Sequence, residues 1–196
     1  DDKYDRIVLA ASSSQGGKEA YKKVYGLGSK HVAQWLKTAS AQSVLLISST
    51  GVYGQTNGEW VSENDADTTQ NITTNILLEA EQNILDAGPA VAILRSSGIY
   101  GPGRGHLFQQ FMNGTASIEG DGKRFLNMVH LDDLVESTIL ALESVGQRGI
   151  YNITDDWSAT LGLRYTTENK DVDLFTQPYS TAPAFAAGGA LVQLAF

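Results

Sequence analysis

The chain contains no cysteine, so disulfides, thiolate nucleophiles and cysteine-based zinc sites are excluded. Positive charge is scarce as well: 14 lysines and arginines against 22 acids leave a formal net charge of −8, with no basic run. Sequence-independent nucleic-acid binding needs that charge against phosphate, so no nucleic-acid partner is expected; one or two arginines still suffice for a small anionic ligand. No apolar stretch approaches the roughly 20 residues of a membrane-spanning helix. The opening Asp1-Asp2-Lys3-Tyr4-Asp5-Arg6 has no apolar run behind it, unlike a secretory signal. A cytoplasmic protein with a small-molecule substrate and no membrane partner is the expectation. No metal site is expected: Asp132 and Asp133 suit a helix cap better than a metal.

What is present is a chain of 196 residues, which suits one domain plus a small second piece. Such a chain buries about 70% of its unfolded surface and has a core of its own. The stretch Leu45-Leu46-Ile47-Ser48-Ser49-Thr50-Gly51-Val52-Tyr53-Gly54 starts as a buried strand and ends in hydroxyls and glycines. In an open α/β sheet, ligands sit outside the carboxyl ends of the strands. Ser48 and Ser49 fall at that place, where they can serve chemistry or merely satisfy backbone groups.

Around it, apolar runs at Ile7-Val8-Leu9-Ala10-Ala11, Ala90-Val91-Ala92-Ile93-Leu94 and Gly149-Ile150-Tyr151-Asn152-Ile153 predict three more strands. Between them, helical spacing predicts helices over 18–38, 72–86 and 107–112, and one after Asp132-Asp133, whose acids are the expected cap. Gly26 and Gly28 weaken the first, at about 1 kcal/mol each against alanine. Its aromatic residues, Tyr21, Tyr25 and Trp35, read as core. The segment 55–70 reads as a turn at Thr56-Asn57-Gly58 and a solvated acidic loop at 63–67, and His130 reads as structural. Strands alternating with helices imply crossover units and a parallel sheet.

Taken in order, Leu9-Ala10-Ala11, Ser48-Ser49-Thr50-Gly51-Val52-Tyr53-Gly54, Leu94-Arg95-Ser96-Ser97-Gly98-Ile99-Tyr100-Gly101-Pro102-Gly103 and Val129-His130-Leu131-Asp132-Asp133 resemble the extended short-chain dehydrogenase/reductases, the NAD-dependent epimerase/dehydratases. The resemblance runs from about Tyr4 to Asp156. It implies an NAD- or NADP-dependent oxidoreductase or epimerase acting on a nucleotide-sugar or similar hydroxyl substrate, with room for a homodimer. Ser49 matches the catalytic serine. Ala10, Ala11, Ser48, Ser96, Ser97 and Gly98 match the cofactor side. Tyr100, Arg104 and Arg124 are the substrate-side candidates.

Two departures from the family pattern stand beside these matches. No Gly-x-x-Gly-x-x-Gly precedes Ile7, the turn that places a pyrophosphate at a helix N-terminus. Ile7 to Ala11 therefore corresponds to the fourth strand of the pattern. The family's Tyr-x-x-x-Lys falls at Asn71 and Asn75 when aligned on Leu77-Leu78-Glu79-Ala80-Glu81; Tyr53 is the candidate substitute. The fold expected is α/β: a partial Rossmann-like parallel sheet with flanking helices, lacking the first βαβ units, over 1–156. Residues 157–196 change in texture and are expected to be β-hairpin-like or disordered. Thr160-Leu161-Gly162-Leu163-Arg164-Tyr165 and the terminal Leu191-Val192-Gln193-Leu194-Ala195-Phe196 resemble the last strands of a TonB-dependent outer-membrane receptor, which would make the tail a fusion. The second functional reading is a catalytically inactive Rossmann-like remnant that serves as a binding or interaction module.

Overall fold

A computed structural model describes residues 3–13, 17–66, 71–88, 90–117, 127–144, 148–155 and 192–195. The expectations for Arg124 and for the tail over 157–191 lie outside these residues.

Four parallel strands form the central sheet in the order β1 (Lys3–Leu9), β2 (Ser40–Ser49), β4 (Val91–Ser96) and β7 (Gly149–Ile153). All four were legible as apolar runs; β4 is buried along its whole length, and a strand covered on both faces is apolar over most of it. Val91 and Ile93 point to one face with Val44, Ile84 and Leu36. Ala92 and Leu94 point to the other, with Leu45, Val129, Leu134 and Ile153. The first face is covered by α2 (Gly28–Leu36) and α3 (Ile72–Leu85) and the second by α5 (Leu131–Glu143). Short parallel strands β5 (Gly98–Tyr100) and β6 (Met128–His130) pair beyond the end of β4, and α4 (His106–Met112) lies between them in sequence.

Several expectations are revised. The predicted first helix is three pieces: α1 (Lys18–Tyr21), a π-helical turn (Lys22–Leu27) and α2. The wider turn includes Gly26, one of the two glycines that argued against a regular helix. The cap of α5 is His130, which is in extended conformation and accepts from the Asp132 amide at 3.3 Å. Asp132 and Asp133 sit in the first turn instead, where their charge complements the helix dipole. The stretch read as a turn contains a strand, β3 (Asn57–Val61), which pairs antiparallel with β8 (Val192–Ala195). Polar residues hid it, since four of its five residues are not buried. No helix among the described residues is long and apolar enough to cross a membrane.

Ile93 is fully buried whereas Ile139 is 50% exposed. Ile93→Ala is expected to cost about 2–5 kcal/mol and Ile139→Ala less than about 0.5 kcal/mol, read from urea midpoints at constant slope.

Candidate active site

A cleft of about 550 Å³ opens where β1, β2 and β4 end. Its walls include Ala10, Ala11, Ser48, Ser49, Ser96, Ser97 and Arg104, with Tyr21 and Tyr25 from the first helical segment and Leu134 and Ile139 from α5. Seven of the ten expected site residues thus meet in one cavity, although they come from three strand ends and a distant loop. Parallel strands with one register deliver them together: Leu9 lies opposite Leu46, and Ser48 and Ser49 lie opposite Arg95 and Ser96.

The serines divide by their partners. Ser48 donates to the Glu81 carboxylate at 2.5 Å, and Ser96 donates to the Ser48 carbonyl at 3.2 Å; both hydroxyls are committed to the fold. Ser49 is in extended conformation, and its oxygen accepts from the Gly51 amide at 3.0 Å as the chain turns through Thr50–Val52. Its hydroxyl proton is free of that bond, which suits donation to a bound oxygen. Ser97 is only 4% exposed, its amide donates to the Ile153 carbonyl, and its hydroxyl oxygen is buried without a partner among the described residues. Leaving such a group unmatched costs about 1–3 kcal/mol, so a ligand that satisfied it would gain affinity.

The other expected residues lie elsewhere. Gly98 does not line the cleft; a side chain there would meet Met128 Sδ at 3.0 Å and the Asn127 carbonyl at 3.2 Å, so it lets β5 approach β6. Tyr100 donates to Asp155 at 2.8 Å and stands edge-on to the His130 ring.

The position at which the family carries its proton donor is committed to capping a helix. Asn71 is the cap of α3, its side-chain oxygen accepting from the Thr73 amide at 3.0 Å and the Thr73 hydroxyl at 2.7 Å. Tyr53, the expected substitute, is 4% exposed and absent from the cleft wall. Its hydroxyl donates to Asn152 and accepts from Arg95 at 3.1 Å, and burial foremost pushes its pKa up. Tyr21 and Tyr25, read from the sequence as core, are half-buried on the cleft wall. The π turn that follows Tyr21 was the missing information; its only trace in the sequence is the glycine pair.

Beneath the serines lies a buried ion pair. Arg95, on β4, and Glu81, on α3, are each 2% exposed and meet through Nη2 and Oε2 at 2.8 Å and through Nε at 3.1 and 3.3 Å. Arg95 Nη1 also donates to the Glu63 carbonyl at 2.8 Å, and the Glu63 carboxylate accepts from the Asn152 amide at 2.9 Å. The acidic loop expected to be solvated is therefore anchored to the interior through Glu63. Burial opposes the charge on Arg95, but bonding and attraction to Glu81 leave its pKa raised.

The NAD dependent epimerase/dehydratase family profile matches residues 1–154, and the chain belongs to that family. Protein YeeZ of Escherichia coli strain K12 is 34% identical over 154 residues, 75% of this chain and 51% of YeeZ. The chain thus spans about half the length of the curated relatives it matches. MoeE5 in complex with UDP-glucose and NAD superposes with a TM-score of 0.64 at 26% identity, covering 76% of this chain and 56% of MoeE5. The UDP-glucuronic acid 4-epimerase of Bacillus cereus in complex with NAD superposes with a TM-score of 0.67 at 22% identity over 79% and 55% of the two chains, a likeness of fold.

Arg95→Leu is expected to destabilise by about 3–5 kcal/mol, because Glu81 is left charged and buried; the double change Arg95→Leu with Glu81→Leu should recover most of that loss, measured by chemical unfolding. A second expectation concerns pH. Burial foremost raises the Asp155 pKa, against hydrogen bonds from Tyr100 and the His130 amide, and Asp133 raises it further. The folded state therefore holds this proton more tightly than the unfolded chain. The Asp155 contribution is fully present below the unfolded carboxylate pKa and is lost as pH rises through the raised one. Unfolding free energies of the wild type minus those of Asp155→Asn, followed from about pH 3 upward, should fall through that window.

Proposed function

We propose that the chain serves an NAD(P)-dependent oxidoreductase or epimerase reaction on a nucleotide-sugar or similar hydroxyl-bearing substrate. Residues 1–156 would carry the dinucleotide-binding half of the site, and 157–196 would form a tail of different character. The observation that carries this reading is the gathering of Ser49, Ser96, Ser97, Ala10 and Ala11 around one cleft at the ends of parallel strands. Membership of the epimerase/dehydratase family supports it, as does the likeness to MoeE5, whose structure holds UDP-glucose and NAD.

The residues present fit the nicotinamide end of such a cofactor. Two alanines leave a flat, uncharged wall, and the unmatched Ser97 hydroxyl is a buried hydrogen-bonding group of the kind an amide satisfies. When bound, the cofactor supplies or accepts the hydride. Ser49 would hydrogen-bond the substrate oxygen at the carbon that changes oxidation state, steadying charge as it develops there. Arg104, which also lines the cleft, would attract an anionic substrate group.

A second reading, an inactive Rossmann-like binding module, draws support from Asn71: the position expected to hold the catalytic tyrosine is committed to capping a helix.

Titration with NAD and NADP, followed by intrinsic fluorescence, separates these readings from no binding at all. Saturation below millimolar concentration is expected, and its absence would sink the enzyme reading for this chain. Ser97→Ala should weaken binding by about tenfold, the value of one hydrogen bond. Ser49→Ala should leave binding unchanged and lower turnover by about 10²-fold or more; dinucleotide binding with no turnover in the wild type would favour the inactive module.

A further inference from the structure

We propose that the exposed apolar stripe of α5, with Val8 of β1 beside it, is a docking surface for an amphipathic helix of a partner polypeptide whose apolar stripe is edged by lysine or arginine. The proposal goes beyond the reaction above and does not rest on it.

The sheet is covered unevenly at β1. Ile7 and Leu9 point to the face closed by α2 and α3. Val8, between them, points to the other face and is 42% exposed. The apolar cluster on that face joins α5 to β2, β4, β6 and β7, and no residue of β1 belongs to it. Strands of a parallel sheet are ordinarily covered on both faces. β1 is the outermost strand of the central sheet among the described residues, so an open shelf lies over it, alongside α5. A helix, about 10–12 Å across with its side chains, is the element that fills such a shelf.

α5 presents the matching side. Leu131, Val135 and Ile139 recur at every fourth residue, which sets them on one face of the helix. All three line the cleft together with Val8, and Val135 and Ile139 are 47% and 50% exposed. A contiguous apolar patch rimmed by polar residues marks an interaction site, unlike apolar residues scattered singly.

Charge identifies the occupant. α5 carries four acids, Asp132, Asp133, Glu136 and Glu143, and no lysine or arginine; all four acids are exposed. Asp132 and Glu136 sit one residue past Leu131 and Val135, along the edge of the stripe, and Glu143 continues that edge two turns further on. Among the described residues, Glu136 and Glu143 form no salt bridge, and Asp132 meets only His130, at 3.6 Å. Across the shelf, Arg6 is exposed two residues before Val8 and offers a place for one acid. A partner helix with basic residues beside its apolar stripe meets the α5 edge with opposite charge, whereas the α5 of a second copy sets acid against acid. The docked helix forms an outer wall of the cleft, over a floor that keeps Ser49 and Ser97.

The full chain tests this against two labelled peptides of about 18 residues, long enough to hold a helix in water, with binding followed by fluorescence anisotropy. Both peptides carry leucines at helical spacing on one face; one has lysine beside that stripe and the other glutamate. The lysine peptide is expected to bind saturably and the glutamate peptide at least about tenfold more weakly. The chain has a net charge of −8, so docking is separated from bulk attraction by Val135→Ser with Ile139→Ser. That pair keeps every charge and should weaken the lysine peptide by about tenfold or more. Glu136→Lys with Glu143→Lys should weaken it similarly and flatten its salt dependence. If a variant does not fold, the 13C-methyl signals of the wild type decide: those of Val8, Val135 and Ile139 should move on adding the lysine peptide, while those of Ile84 and Ile93, inside the opposite face, stay. No saturable binding of the lysine peptide, equal binding of both peptides, or an affinity unchanged by Val135→Ser with Ile139→Ser overturns the proposal. So does a dimer of the chain alone, read by sedimentation, that the same pair of changes dissolves, since the face then belongs to a second copy.

Discussion

The ion pair between Arg95 and Glu81 is the constraint on which the site depends. Both groups are almost wholly withdrawn from water, where an unpaired charge costs several kcal/mol. The polar groups they meet are therefore committed to the same network. Glu81 accepts from Ser48, Arg95 donates to Tyr53 and Glu63, and Glu63 and Tyr53 both reach Asn152. The result ties β2, β4, β7, α3 and the loop after β3 to one point beneath the cleft. A buried pair contributes little net stability over a hydrophobic replacement. What this one contributes is position: any strand slip would strand a charge, so the register that aligns Ser48 and Ser49 with Arg95 and Ser96 is specified.

That network also sorts the hydroxyls. Neighbouring serines at a strand end point to opposite faces. Ser48 is drawn into the network and Ser49 is left with one amide contact, at the cleft. At the end of β4, the same alternation gives Arg95 to the interior and Ser96 to the Ser48 carbonyl, and Ser97, just past the strand, has no partner for its hydroxyl oxygen among the described residues. The loose ends of the site, Ser49 and Ser97, are those the network does not reach.

The two faces of the sheet are unequally covered. α2 and α3 close one face over Ile7, Val44 and Ile93. The other carries α5, whose Val135 and Ile139 are 47% and 50% exposed, beside a Val8 that is 42% exposed on β1. All three line the cleft. The cavity thus combines a polar floor of strand ends with an apolar flank, the mixture small-ligand sites generally show.

Much of this was legible in the order of residues. Apolar runs marked all four central strands, most plainly β4, where burial on both faces leaves no room for alternation. The 72–86 periodicity marked α3 to within one residue, and the hydroxyls after Ile47 and Leu94 marked the strand ends where seven expected residues meet. The rest depended on partners distant in sequence. Nothing near Tyr53 states that Arg95 and Asn152, 42 and 99 residues away, engage its hydroxyl; nor does anything near Glu63 announce Arg95 and Asn152. The strand character of β3 comes from a partner 131 to 138 residues on. Tyr21 and Tyr25 had core-like spacing, and only the π turn set them on the cleft wall. Local periodicity determines which segments are helix or strand and which face is apolar. Which polar group meets which, and so which hydroxyl or phenol is left for a ligand, is settled only when the strands pair and charges leave water together.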